Sequence, residues 1–163
     1  MRRSRIALAF AGLIAVLLAT TGVVVADSLG TADKPLQFDL TSRATAINNF
    51  VDIGPPGPSP GDLYVFSDNV FRPSDPTKAI GRFDGRCTLL DPTEARWDCS
   101  VSTSLPEGTI HGAGSLMFVQ GSVNAGAITG GTGRYRNVRG EGTVELGPLQ
   151  GPHKLHYSLI LSP

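Results

Sequence analysis

The residues best suited to chemistry in this chain are three histidines, two cysteines and a scattered set of carboxylates. His153 and His156 are three residues apart in a strand-like segment, so their side chains are predicted to point to opposite faces. His111 stands alone, and no set of zinc ligands remains once the two cysteines are paired with each other. The sequence therefore predicts no metal and no organic cofactor, and the histidines are interpreted as single surface or core residues.

A glycine-rich segment, Gly130-Gly131-Thr132-Gly133, has some likeness to a phosphate-binding loop. It lacks the Lys-Ser/Thr that would follow in such a loop, misses the third glycine of the dinucleotide pattern, and precedes a predicted strand. The chain also contains no Gly-x-Ser-x-Gly elbow to present a nucleophilic serine. The segment is therefore predicted to be a tight turn whose residues need positive φ angles.

Cys87 and Cys99 flank the segment from Asp91 to Ala95, in which Asp91-Pro92 is a turn-opening pair. If the turn centres on Thr93, the cysteines are equidistant from it and face each other across a hairpin. Facing positions of an antiparallel pair can meet the Cα separation that a disulfide needs. The sequence thus favours a Cys87–Cys99 disulfide over the alternative, a free and reactive Cys87.

Three arginines follow the glycine-rich turn. Arg134 and Arg136 are predicted to share one strand face, and Arg139 falls on the other unless a bulge intervenes. An inward Arg139, partnered by Glu141 or an aspartate, could bind a carboxylate ligand. The alternative is a solvated strand with ordinary ion pairs, and the residues themselves leave both interpretations open.

The elements that must position these residues are predicted to be β-strands. Glycine and proline recur too often after residue 27 for a long helix, and short alternating or β-branched runs lie between turn signals. Strands at this spacing indicate an all-β sandwich or barrel. The predicted strands are Leu36–Ser42, Ala46–Ile53, Gly61–Phe71, Ala79–Leu90, Arg96–Ser104, Gly108–Gln120, Asn124–Thr129, Tyr135–Leu146 and Lys154–Leu161.

One predicted strand suggests a cavity, because Tyr64, Phe66, Asp68 and Val70 share a face that is mostly apolar and partly polar. The segment before it, Gly54–Pro60, contains four prolines in seven residues and cannot join a ladder. This stiff loop is either a rim over such a cavity or a plain connection.

The N-terminus has the organisation of a secretory signal peptide. Met-Arg-Arg-Ser-Arg precedes an apolar run from Ile6 to Ala26, and the small residues near Ala26 predict cleavage before Asp27. The alternative is an uncleaved membrane anchor, since the run is just long enough to span a bilayer. The prediction is a secreted or extracytoplasmic protein with a signal peptide at 1–26, a flexible segment at 27–35 and one domain at 36–163.

Charge excludes one class of partner. The whole chain balances 14 basic against 14 acidic residues, and removal of the leader's three arginines leaves 11 basic residues in the mature part. The mature part keeps all 14 acidic residues and is therefore mildly acidic. Nucleic-acid binding needs a basic face, so this charge argues against a nucleic-acid partner. The mature length of 137 residues is that of one domain.

The run from Ala127 to Gly142, Ala-Ile-Thr-Gly-Gly-Thr-Gly-Arg-Tyr-Arg-Asn-Val-Arg-Gly-Glu-Gly, resembles the signature segment of the allene oxide cyclase and dirigent barrel superfamily. Gly61-Asp62-Leu63 with Phe66 resembles the Gly-Asp-Leu strand of the cyclases. The closing Lys154-Leu-His-Tyr-Ser-Leu-Ile160 resembles their last strand. The resemblance spans about residues 36–161.

The resemblance implies an eight-stranded, closed antiparallel β-barrel with an apolar lumen, in a superfamily whose members are often assembled as homotrimers. Members of the superfamily steer the cyclisation or coupling of a reactive small molecule chiefly by holding it in one folded shape. By similarity to the cyclases, Asp39 falls at a lumen glutamate, Thr41 and Asp68 at lumen asparagines, and Phe66 at a lumen phenylalanine. Cys87 falls near a lumen cysteine, a role that pairing with Cys99 would remove.

The leading hypothesis is a secreted cyclase-like or dirigent-like barrel that binds a small, largely apolar molecule and guides its cyclisation, isomerisation or stereoselective coupling. In this hypothesis Asp39 and Asp68 polarise or deprotonate the molecule, Phe66, Tyr157 and Thr41 line it, and Arg139 binds any anionic group. The alternative is a secreted barrel that binds a ligand or serves a structural role without turnover, which side chains filling the lumen would favour.

Overall fold

The computed structural model describes residues 34–148 and 151–161, and the predicted signal peptide and most of segment 27–35 lie outside them. Eight strands account for nearly all regular structure in this part of the chain, with one 3₁₀ turn at Gly133–Tyr135. The strands are β1 (Leu36–Val51), β2 (Leu63–Arg72), β3 (Asp75–Asp91), β4 (Arg96–Leu105), β5 (Gly108–Met117), β6 (Val123–Gly131), β7 (Arg139–Glu145) and β8 (His153–Ile160).

Each strand pairs antiparallel with its neighbours in sequence, and β1 also pairs with β8, so the sheet closes into a barrel. This confirms the predicted eight-stranded antiparallel barrel. Closure leaves no free strand edge. The connections β1–β2, β3–β4, β5–β6 and β7–β8 lie at one end of the barrel, here called the proline-loop end because residues 52–62 form the first of them.

The first two predicted strands are one strand. β1 runs continuously from Leu36 to Val51, with an irregularity between Ala44 and Asn48 in its pairing with β2. The Thr45 hydroxyl donates to the Ser67 carbonyl oxygen over 2.5 Å at this point. A bulge bends a strand without ending it, which explains why the sequence pattern shifts there while the strand continues.

Alternating side chains of the eight strands fill the barrel in two clusters. The larger includes Phe83, Ile110, Tyr157 and Leu159, and the smaller surrounds Leu89, Trp97 and the two cysteines at the proline-loop end. In β8 the predicted apolar face is confirmed, since Leu155, Tyr157 and Leu159 are all buried. Aromatic and branched side chains thus occupy much of the lumen.

Cys87 and Cys99 are directly opposite each other on β3 and β4 and form the predicted disulfide, with their Cα atoms 4.0 Å apart. Both are essentially fully buried. They lie on the lumen side of the wall, because Cys87 also faces the inward Tyr64 of β2. The bond therefore lies within the lumen and leaves no free thiol among the described residues.

The glycine-rich segment is only partly the predicted turn, because Gly130 and Gly131 end β6 and only Gly133 has a positive φ. The strand predicted to start at Tyr135 begins later, at Arg139. Residues Gly133–Tyr135 form the 3₁₀ turn, so Arg134 and Arg136 do not share a strand face. Gly133 has φ +59°, and a Cβ at Gly131 would stand 2.5 Å from the Tyr135 carbonyl oxygen. Both positions therefore need glycine, and the turn places the buried Tyr135 against the end of the core.

Candidate functional site

The buried carboxyl group of Asp68 is the most distinctive polar feature of the lumen. Asp68 lies on the inward face of β2, opposite Ala44 and Phe83, and is only 3% exposed. Its Oδ2 accepts a hydrogen bond from the Ser42 hydroxyl over 3.0 Å. Its Oδ1 is buried and has no hydrogen-bond partner among the described residues. A buried polar atom without a partner is rare and costly.

Burial raises the pKa of Asp68, although the Ser42 hydrogen bond and the nearby His153 act in the opposite direction. The charged carboxylate loses water on burial, and the side chains of Ser42 and Asn48 offset only part of that loss. The proton of Asp68 is therefore held more tightly than that of a solvated aspartate. Such a group can accept and return a proton closer to neutral pH than an exposed aspartate can.

Two inward side chains lie within electrostatic reach of this carboxyl group. Tyr64 donates its hydroxyl hydrogen to Asn48 Oδ1 over 2.8 Å, and burial together with the charge of Asp68 raises its pKa. His153 faces Ser42 across the β8–β1 ladder, and burial lowers its pKa. Its Nδ1 accepts the Gly147 N–H over 3.0 Å, so the neutral ring carries its proton on Nε2.

A cavity of about 230 Å³ opens at the proline-loop end, and we call it the mouth cavity. Tyr64 and His153 line it together with Phe118, Gln120, Leu146 and Gly147. This volume lies just below the range typical of small-molecule pockets. Asp68 does not line this cavity, but it shares the inward face of β2 with Tyr64. Its hydrogen-bond partner Ser42 lies opposite His153 on β8, so the carboxyl group is next to two residues of the cavity wall.

Aromatic rings form the wall between the mouth cavity and the deeper lumen. Tyr64 contacts Phe118 edge to face at 5.5 Å between centroids and stacks with Phe66 at 5.8 Å. Phe66 in turn contacts Phe83 at 5.3 Å. Trp97 stacks on Phe118 at 5.1 Å on the other side. Such a wall offers apolar faces and weakly polar ring edges to a ligand.

Tyr157 projects into the lumen, as its predicted ligand-lining role requires, but its hydroxyl group already has a partner. The hydroxyl lies 2.5 Å from Thr103 Oγ1, and the ring stacks on Phe38 at 5.1 Å. Burial raises the pKa of Tyr157 to about 12. The residue is therefore a neutral part of the lumen wall over the physiological pH range.

Asp39, Thr41 and Arg139 lie on the outer face of the barrel. Leu36, Phe38 and Leu40 point inward, so the alternate positions Asp39 and Thr41 point outward. On that surface Asp39 Oδ1 lies 2.7 Å from His156 Nδ1, within hydrogen-bond distance. Two-thirds of the Asp39 side chain is exposed.

Arg139 is exposed as well. Its guanidinium group donates hydrogen bonds to the carbonyl oxygens of Thr129 and Val138. The structure therefore brings Asp68, Phe66 and Tyr157 into the lumen and corrects the predicted lumen positions of Asp39, Thr41 and Arg139.

The site also contains four residues that were not predicted: Ser42, Asn48, Tyr64 and His153. Tyr64 shares the alternating face of Phe66 and Asp68, so the sequence contained a signal for it. Ser42 follows from the same parity as Leu40. No sequence signal indicates His153, because only closure of β8 against β1 places it beside Ser42.

Across residues 34–148 and 151–161, no group of three or more His, Cys, Asp or Glu side chains is arranged to hold a metal ion. The same residues include no helix long and apolar enough to cross a membrane.

A family model described as the allene oxide cyclase barrel like domain matches residues 40–160, which is most of the chain. The chain belongs to this family. The match begins four residues into β1, spans the other seven strands and includes Asp68, both cysteines and His153. It confirms the family resemblance seen in the glycine-rich turn and the last strand. A search of curated protein sequences finds no match.

Several solved structures have folds similar to this one. A pyocyanin demethylase is 28% identical with a TM-score of 0.66, and the alignment covers 77% of this chain and all of that one. A Diels–Alderase from Streptomyces koyangensis is 21% identical with a TM-score of 0.64, covering 79% of this chain and 65% of that one.

A pterocarpan synthase dirigent protein is 20% identical with a TM-score of 0.58, covering 77% of this chain and 91% of that one. At these lower identities the likeness is one of fold. The family's barrel is thus found in proteins with different activities, and the fold by itself names no reaction.

Proposed function

We propose that this protein is an exported allene oxide cyclase-like barrel that binds a small, largely apolar molecule at the mouth cavity and transfers a proton to or from it through Asp68. The proton transfer would guide a cyclisation or isomerisation without a metal or organic cofactor. The observation that carries the proposal is the buried Oδ1 of Asp68, which has no partner among the described residues although Oδ2 has one.

A ligand with one hydrogen-bond donor would complete this carboxyl group. Within the site, Ser42 donates to Oδ2, and Oδ1 is buried beside the Asn48 side chain, which helps to lower the pKa of the carboxyl group. The ligand would therefore have to displace the groups that cover Oδ1 in order to reach it. Tyr64 and His153 border the cavity as neutral groups, because burial raises the pKa of the phenol and lowers that of the imidazole. A ligand in this environment meets one titratable carboxyl group among apolar rings, so the proton transfer has a single defined partner.

Export is part of the proposal and is supported by the signal-peptide pattern at 1–26 and by the Cys87–Cys99 disulfide. Disulfides persist in oxidising compartments. Native mass spectrometry of the protein from its own source would report the mass after cleavage before Asp27, any retained ligand and the predicted homotrimer. A mature mass that retains residues 1–26 would exclude the secreted form.

A proton-abstraction probe tests the role of Asp68 without knowledge of the natural substrate. In 5-nitrobenzisoxazole, a base removes the C3 hydrogen as a proton while the ring N–O bond breaks, and the product is a coloured cyanonitrophenolate. We expect the protein to accelerate this elimination and Asp68→Asn to lower kcat/KM at least about tenfold, since a positioned general base typically contributes 10²–10⁴-fold.

Two other carboxylates provide the comparison. Asp98→Asn changes an exposed aspartate of β4 and should leave the rate unchanged. Asp39→Asn tests the other carboxylate predicted from sequence, and its outward position leads us to expect no loss. In the wild type the rate should rise with pH through a midpoint above that of a solvated aspartate, because the ionised form of Asp68 is the base. Equal rates in wild type and Asp68→Asn would refute the acid–base role.

A second candidate function is ligand binding without turnover, and the packing of the lumen favours it. Between its two ends the lumen contains a cavity of only about 60 Å³, because aromatic and branched side chains occupy this part. A cavity of about 360 Å³ opens at the end opposite the proline-loop end, where Leu36, Phe38 and Tyr135 line it. Binding of the probe without acceleration of its elimination, in both wild type and Asp68→Asn, would support this function over the first.

A further inference from the structure

Four of the inward-facing glycines lie together on three neighbouring strands and line one cavity of the lumen. They are Gly112 and Gly114 of β5, Gly126 of β6 and Gly142 of β7. Glycine within a strand weakens it by about 0.5–1 kcal/mol relative to alanine, so it marks a place where backbones approach closely or where space is needed.

Two of these glycines are explained by close approach of backbones. A Cβ at Gly114 would stand 2.9 Å from the Cα of Gly126, and one at Gly126 would stand 3.0 Å from the carbonyl oxygen of Ala113. The wall between β5 and β6 has no room for a side chain at either position.

Gly142 has a different environment. A Cβ there would lie 3.3 Å from the Ile128 side-chain tip and 3.6 Å from the Tyr157 ring. These are side-chain contacts that a small shift relieves, so an alanine would fit. The glycine at this position therefore keeps space open inside the barrel, and that space is the cavity of about 60 Å³.

The lining of this cavity offers almost no free hydrogen-bonding group to an occupant. Its side chains come from Phe83, Cys99, Val101, Leu116, Ile128, Val144, Leu155, Tyr157 and Asn124. Three polar residues are among its lining: Thr143 pairs with the outward His156 and belongs to the outer face, the Tyr157 hydroxyl pairs with Thr103, and the Asn124 amide binds Met117 and Ser122. A water needs two to four polar partners, so this cavity favours an apolar occupant.

Volume limits the occupant to one or two carbon atoms. A cavity of about 150 Å³ is known to take up benzene, and this one has less than half that volume. It lies next to the proposed site, because Phe83 lines the cavity and faces Asp68 across the β2–β3 ladder.

We propose that the glycine-lined cavity is a subsite for a methyl or ethyl group of the ligand, with Gly142 as the residue that determines this size limit. This role in ligand recognition rests on the proposed function, in which the ligand binds next to Asp68. The ligand would then be a small apolar molecule whose hydrogen-bond donor reaches Asp68 and whose short alkyl substituent enters beyond Phe83.

Dissolved xenon, ethane and isobutane are suitable probes, read from the methyl NMR resonances of Val101, Ile128 and Val144 in the purified protein. We expect xenon and ethane to shift these resonances in a saturable manner and isobutane to leave them unchanged. Gly142→Ala should weaken xenon binding at least about fourfold, the loss that corresponds to one buried methylene. Ile128→Val enlarges the cavity and should bind xenon at least as tightly as the wild type.

Gly130→Ala is the matched control. Gly130 is a strand glycine on the outer face, opposite His111, where a Cβ would meet nothing closer than Arg139 at 3.7 Å. It should bind xenon like the wild type, and so should Asp68→Asn.

Any one of three results would overturn the subsite. The wild type would show no saturable xenon shifts, isobutane would bind as well as ethane, or folded Gly142→Ala would bind xenon with unchanged affinity. Because xenon does not report on Asp68, such a result leaves the proton-transfer proposal to the elimination assay.

Discussion

Replacement of Asp68 by asparagine should stabilise the folded barrel at neutral pH and leave its stability unchanged in acid. Asparagine has nearly the shape of the protonated carboxyl group, can still accept the Ser42 hydrogen bond, and has no charge to bury. The variant therefore removes the cost of an ionised group whose Oδ1 has no partner among the described residues.

The sign follows from the pKa of Asp68, which burial raises in the folded protein. Below the pKa of the unfolded chain both states are protonated, and the barrel has its full stability. As pH rises through the higher folded-state pKa, the folded protein must ionise a buried group and loses stability. The difference between Asp68→Asn and wild type should thus be near zero at acidic pH and grow to a plateau above the folded-state pKa.

The size of the plateau follows from the environment of the side chain. The plateau is the difference between burying a charged oxygen without a partner and burying a neutral amide group in its place, and penalties of this kind are about 1–3 kcal/mol. For a domain of this size, that corresponds to an increase in Tm of roughly 4–12 °C. Thermal unfolding followed by circular dichroism between acidic and neutral pH measures both the plateau and its midpoint.

Asp98→Asn, at an exposed position on β4, is the control and should change stability by less than about 0.5 kcal/mol at every pH. A lower Tm for Asp68→Asn at neutral pH would contradict the reasoning. A gain that persists undiminished in acid would contradict it as well, because the effect would then not depend on ionisation.

Three further predictions concern other parts of the barrel. Asp62→Ala should free the proline-rich loop, because this carboxylate accepts the N–H groups of Ile53, Gly54 and Ser59, and faster cleavage within residues 53–60 by a protease would show it. The pKa of Asp62 is lowered, chiefly by the hydrogen bond from the Ile53 N–H. The loop should therefore stay anchored until pH falls through that lowered pKa, and limited proteolysis at a series of pH values measures this. Reduction of the Cys87–Cys99 disulfide should lower the free energy of unfolding by about 2–4 kcal/mol for so short a loop. A reductant should therefore lower the Tm of the wild type and leave the Tm of a variant with alanine at both positions unchanged. Tyr157→Phe should cost about 1 kcal/mol, and the wild-type phenol should resist ionisation to about pH 12 in an ultraviolet titration.

Local patterns were sufficient to predict most of the strands and the disulfide, although two predicted strands are parts of β1 and β7 begins four residues later than predicted. The cysteines are symmetric about a turn with a clear Asp-Pro signal, and the register of a hairpin depends only on the residues within it. The same locality explains the alternation in β2, where Phe66 and Asp68 are on the inward face as predicted. In these elements the deciding interactions lie within about twenty residues of each other.

The first strand shows where the prediction of the site went wrong. Leu36, Phe38 and Leu40 alternate in a way that predicts their inward direction, yet the family resemblance placed Asp39 in the lumen. A shift of one residue moves every side chain of a strand to the opposite face. The alternation was the better guide, because burial of three apolar side chains outweighs a match of one polar residue to a family pattern.

The amino-acid sequence by itself therefore determined an all-β domain, its disulfide and one inward carboxyl group, through turn signals and alternating side chains that act over short distances. Only the tertiary structure decided how the site is assembled. Closure of β8 on β1 brings His153 to Ser42, and β2 adds Asp68 from the other side. Packing also determined that the lumen between its two ends is nearly full and that Gly142 keeps a small space open. These features depend on how side chains more than a hundred residues apart fill one closed interior, which no local pattern encodes.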